Sequence, residues 1–227
     1  MDAINARALQ ADPANDQAAN NLGLALEALG RPGAAAASYG HSLRLNPRNA
    51  QALSNLGAAT ADPAAARRLL ERAVALRPGD GAALNNLAMK LAELGLPAEA
   101  EARYREAIAA SAGQDPRFLS NLAALRLQRG APAEAEALAR SALRLDMGYV
   151  SAQQNLMLAW RGGGGGRLEA IVGGCLGRRG RPAAAAAEEE LAGGAGPSSQ
   201  DCEVVEALAR AGRLSVRGLQ QQQQPRA

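Results

Sequence analysis

Asn21, Asn55, Asn86, Asn121 and Asn155 recur 31 to 35 residues apart, and a leucine follows each of them. A carboxamide carries both a donor and an acceptor, so a row of them can pair with the backbone of an extended chain without reading its side chains. That is the chemistry of recognition rather than of reaction. The single histidine, His41, belongs to no motif with a nucleophile or carboxylate. Cys175 and Cys202 share no metal-ligand spacing and read as free thiols, which suits a reducing compartment. The run Gly162 to Gly166 lacks the lysine and hydroxyl that a phosphate loop requires. The sequence therefore predicts no catalytic residue, no cofactor and no metal.

The elements that must position these amides repeat with them. Asp16 to Asn49 carries Leu22, Gly23, Leu26, Gly30, Ala35, Tyr39, Leu43 and Pro47, and the same small and apolar types return in residues 50–80, 81–114 and, after an insertion at Asp115, 116–149. Residues 150–161 repeat only the first half of the unit, through Asn155, Leu156 and Trp160. Gly30-Arg31-Pro32, Gly95-Leu96-Pro97 and Gly130-Ala131-Pro132 divide three of the units into two apolar-periodic segments. Glycine tolerates the left-handed backbone that ends one helix, and proline is preset for the first turn of the next. In residues 50–80 the turn is Asp62-Pro63 and the first helix is about one turn shorter.

This spacing resembles the tetratricopeptide repeat, a helix, a tight turn and a second helix in about 34 residues. The resemblance implies an all-α fold, a right-handed α-α superhelix, over residues 16–161. It also implies that the first helices line a concave groove. Carried over by register, the groove positions include Gln17, Asn20, Asn21, Gln51, Asn55, Asn85, Asn86, Ser120, Asn121, Gln154 and Asn155. These are the expected peptide-binding residues. Asparagine at the sixth place of each unit can also satisfy neighbouring backbone, and that reading stays open beside the binding one. The ladder is similar to the asparagine-lined superhelix of the protein O-linked N-acetylglucosamine transferases. The transferase domain itself is absent from this sequence, so the likeness implies at most the substrate-recruiting part of such an enzyme. Groove places that would carry lysine or arginine in a carboxylate clamp hold Asn20, Leu24, Ala82 and Asn86.

Outside the array, residues 1–15 read as the end of a preceding repeat helix, through Ala3, Ile4, Ala8 and Leu9. Residues 162–227 read as a glycine-rich linker, degenerate helices and the glutamine run Gln220 to Gln224, a tail the array can do without. Hydrophobic residues make up 48% and aromatics 2%, so helices must pack through alanine and leucine. The net charge of +3 comes almost wholly from arginine, Lys90 being the only lysine. The arginines form no stripe along the repeats, which argues against nucleic acid. No apolar run is long enough to span a membrane. The expected protein is a soluble, cytoplasmic, noncatalytic scaffold whose partner is a protein or extended peptide.

Overall fold

The structure, a computed structural model, describes residues 14–163, 167–177, 196–212 and 214. The expectations for residues 1–13, for any degenerate helix within residues 178–195 and for the glutamine run lie outside the described residues. Eleven helices are described: α1 (Asp16–Ala28), α2 (Pro32–Leu45), α3 (Ala50–Ala59), α4 (Pro63–Leu76), α5 (Gly81–Glu93), α6 (Pro97–Ala110), α7 (Pro116–Gln128), α8 (Pro132–Leu145), α9 (Val150–Gly162), α10 (Arg167–Gly177) and α11 (Ser199–Arg210). No strand occurs among the described residues. The chain divides into two compact units, residues 1–121 and 122–227.

In the first unit each odd-numbered helix packs against its successor, and α2 and α4 also pack against the helix that opens the next repeat. The turns form as glycine allows: Gly30 and Gly95 sit at φ 69° and 73°, and Pro32 and Pro97 open the following helices. First helices start on a recurring cap, in which the Asn15, Asn49 and Asp80 side chains accept from the amides of Ala18, Ala52 and Ala83 at 2.8, 3.0 and 3.0 Å. Such a cap is worth about 1 kcal/mol. The shortening foreseen in the second repeat is present, since α3 has 10 residues where α1 and α5 have 13.

Small residues set how closely the paired helices approach. A Cβ added at Gly57 would lie 2.7 Å from Leu70 Cγ, and one added at Gly23 would overlap the Tyr39 ring. Glycine there makes room for a bulky side chain of the facing helix, Leu70 or Tyr39, which is fully buried. The core then passes from repeat to repeat: Leu53, Ala73 and Ala83 pack with Leu43 and Val74, and Leu84, Ala107 and Phe118 pack with Val74 and Ile108.

The second unit continues with the same hairpin logic and then departs from it. Gly130 takes φ 72° before Pro132, and α8 packs on α9. Helices α10 and α11 are not loose appendages: α10 packs on α9, α11 packs on α10, and Leu168, Val172, Val204, Val205 and Leu208 are buried. The two cysteines read as free thiols are instead bonded, Cys175 on α10 to Cys202 on α11, across 27 residues of sequence. Folding brings their Cα atoms to 5.1 Å, a proximity that sequence spacing does not reveal.

Candidate functional site

The sixth-place asparagines were singled out for recognition, and the structure shows what two of them do. Asn55 donates through Nδ2 to Asn20 Oδ1 at 3.0 Å, and Asn121 donates through Nδ2 to Asn85 Oδ1 at 2.9 Å. In each case a sixth-place amide reaches back to the fifth-place amide of the preceding repeat. The acceptors are buried, Asn20 completely and Asn85 to 7% exposure. A buried amide left without partners is costly, so the bond ties one first helix to the next at a fixed rotation. The fifth place of the second repeat is Ser54, and Asn86 above it makes no hydrogen bond among the described residues.

The other groove residues sort by accessibility. Gln17, Asn21 and Gln154 are exposed, Gln51, Asn55, Asn86 and Asn121 are half-buried, and Asn20, Asn85, Ser120 and Asn155 are buried. Only the first two groups present an amide to a ligand as the chain stands. Beside them at the ninth place, which sequence reasoning read as groove but not as a binding position, Leu24 and Met89 are each 40% exposed. A long apolar side chain held out one turn after an amide was the available signal.

Charge on this face is quenched. Arg117, at the second place of the fourth repeat, forms a 2.6 Å ion pair with Asp115 and lies over the Phe118 ring, 5.5 Å from its centroid. The Arg117 hydrogen bond is the main reason that the Asp115 carboxyl is held below its ordinary pKa. His41 is half-buried, and its Nδ1 lies 3.4 Å from Arg44 Nη2, with no carboxylate or nucleophile bonded to it. In the hairpins, Tyr39 donates to Glu27 Oε2 at 2.8 Å, and burial together with that carboxylate raises its pKa. Tyr104 is pushed up to about 12 by burial and by the nearby Glu93.

In the second unit the polar chemistry is a buried ion network. Arg140 on α8 bonds Glu136 at 2.8 Å and Asp201 on α11 at 2.5 Å, and Arg167 on α10 pairs with Glu136 at 2.9 Å. Glu136 and Asp201 are 7% and 3% exposed. Burial alone would lower the Arg140 pKa, but the bonds to Glu136 and Asp201 outweigh it and raise it. Asp201 also completes a capping box with Ser198 at the start of α11. Every cation in the network is matched by an anion, so the network fastens helices and leaves no charge for a ligand.

Family models of the tetratricopeptide repeat match residues 16–49, 58–115 and 86–150, together more than half of the chain. The chain belongs to the tetratricopeptide-repeat proteins, which are generally protein-interaction scaffolds. Among solved structures it is similar to TTC0263, a thermophilic tetratricopeptide-repeat protein of Thermus thermophilus, at TM-score 0.61 and 23% identity over 70% of this chain and 88% of that one. It is also similar to PilW, a widely conserved type IV pilus biogenesis factor, at TM-score 0.62 and 22% identity over 83% of both chains. YrrB, a tetratricopeptide-repeat protein with an unusual peptide-binding site, matches at TM-score 0.54 and 18% identity over 69% of this chain and 82% of that one. At these identities the likeness is one of fold. No curated protein sequence matches the chain. No described helix is long and apolar enough to cross a membrane.

Proposed function

We propose that this chain is a noncatalytic scaffold that holds an extended peptide against the first helices of its repeats. The observation that carries this reading is Asn86. Its amide is half-buried and makes no hydrogen bond among the described residues, while Met89 projects one turn further along the same helix. An amide with donor and acceptor both free can take the C=O and N–H of a strand-like peptide, and an adjoining thioether adapts to varied side chains. Asn21, Gln17 and Gln51 extend the same polar face along α1 and α3. YrrB lends support as a relative in fold with a peptide-binding site.

The test is to select binders from a library of random twelve-residue peptides with the full chain and to measure the best of them against Asn86→Ala and Met89→Ala. Weakening by about tenfold in either variant, with an unchanged thermal melt, supports the groove. Binding that neither substitution alters would overturn it. Because the contacts are neutral, affinity is expected to fall only slightly between low and physiological salt.

A further inference from the structure

The second helices carry a feature that the groove does not use. Between residues 44 and 77 the sequence holds six arginines, Arg44, Arg48, Arg67, Arg68, Arg72 and Arg77, against two carboxylates, Asp62 and Glu71. That excess of four exceeds the net charge of the entire chain, +3. Both acids are engaged: Asp62 caps α4 through the amides of Ala64 and Ala65, and Glu71 pairs with Arg67 at 2.6 Å. Arg44, Arg48, Arg68, Arg72 and Arg77 are all exposed and make no ion pair among the described residues. Arg103, Arg105 and Arg117 in the same unit are paired with carboxylates.

The fold gathers these arginines. Arg72 reaches across to the Pro47 carbonyl at 3.2 Å, which places its guanidinium against the turn that carries Arg48. Arg68 lies one turn earlier on α4, and Arg77 follows its last turn. Arg44 ends α2 just before the same turn and bends back toward His41. Asp16 and Asp80, the nearest acids in the adjoining turns, are occupied by Asn46 and Asn49 and by the α5 cap.

We propose that this patch, built from the α2–α3 turn and the exposed face of α4, docks an acidic segment of a partner protein. Guanidinium forks match carboxylates in pairs, and the unmatched charge has no counterpart among the described residues. The surface lacks what other anions need. Tyr39, the aromatic residue of this region, is fully buried, so no ring offers a base a stacking platform. The large apolar side chains that are exposed, Leu24, Leu29, Met89, Leu145, Val150 and Leu158, all lie outside residues 44–77, so nothing here inserts into a bilayer. The site stands on the second helices and is independent of the amide groove.

The experiment measures binding of the full chain to a fluorescein-labelled peptide of alternating glutamate and glycine. Oligothymidylate of equal charge and phosphatidylserine vesicles serve as competing probes. Arg68→Gln with Arg72→Gln, and separately Arg48→Gln with Arg77→Gln, are each expected to weaken peptide binding by roughly tenfold. Asn86→Ala should leave it unchanged. The side chains of the second pair make no hydrogen bond among the described residues, so the effect of replacing them is not confounded by folding. Absence of peptide binding at low salt, affinity unchanged from the parent in both double variants, or tighter binding of oligothymidylate or vesicles through the same arginines would each overturn the proposal.

Discussion

The two compact units solve the same problem, joining one helical hairpin to the next, with different chemistry. In residues 1–121 the joints are neutral amides and alanine-rich packing between adjacent repeats, as in the bonds from Asn55 to Asn20 and from Asn121 to Asn85. In residues 122–227 they are a buried ion network and a disulfide that connect residues up to 61 positions apart. An amide joint is local and repeats with the sequence. An ion network requires several distant side chains to arrive together, so each member is harder to replace.

Arg140 should therefore be the most costly single side chain to remove. Arg140→Met is expected to destabilise the second unit by about 3 to 5 kcal/mol, because Glu136 and Asp201 would share one exposed arginine between two buried charges. Denaturant unfolding of the full chain measures it, and a loss below about 1 kcal/mol would show that Arg167 alone neutralises the pair. Replacing Cys175 and Cys202 together by serine comes next, at about 2 to 4 kcal/mol for a loop of this length. An identical melt with and without a reducing dithiol would count against a role for the bond in holding α11.

Within the first unit the comparison narrows to two asparagines at the same register. Asn55→Ala strips buried Asn20 of its partner and should cost about 1 to 3 kcal/mol. Asn86→Ala removes no bond and should stay within about 0.5 kcal/mol of the parent. Equal losses would mean that the register itself, and not the bond, sets stability. The smallest effect at ordinary pH is that of the buried tyrosines. Tyr104 has its folded pKa raised to about 12, so its stabilising contribution is fully present below the unfolded value of about 10 and is lost as pH rises through 12. A spectrophotometric titration should find phenolate appearing late and together with unfolding, and a titration complete near pH 10 in the folded protein would contradict it.

The sequence made the hairpins legible because each depends on residues close in the chain. Gly30, Gly95 and Gly130 take positive φ ahead of a proline, as their local context requires, and the missing turn of α3 was countable. The amide ladder was legible as a recurrence but not as a joint, because its acceptors, Asn20 and Asn85, lie at another place in another repeat. The bond between Cys175 and Cys202 and the meeting of Arg140 with Asp201 had no periodic signal at all. Helix α10 packs on α9 and α11 on α10, with Leu168, Val172, Val204, Val205 and Leu208 buried at positions that no repeat period marks. The arginine patch escaped for a related reason, since Arg72 meets the turn that carries Arg48 only after the chain folds back.

The joint from a sixth-place to a fifth-place asparagine has a further property. The acceptors lie on the first and third repeats and the donors on the second and fourth, so each joint is contained within a pair of repeats. A pair duplicated in tandem would arrive with both halves of its fastening already in place. Arrays held this way can lengthen or shorten by whole pairs without inventing a new fastening of this kind, whereas the end fastened by Arg140, Asp201 and the disulfide cannot be copied piecemeal.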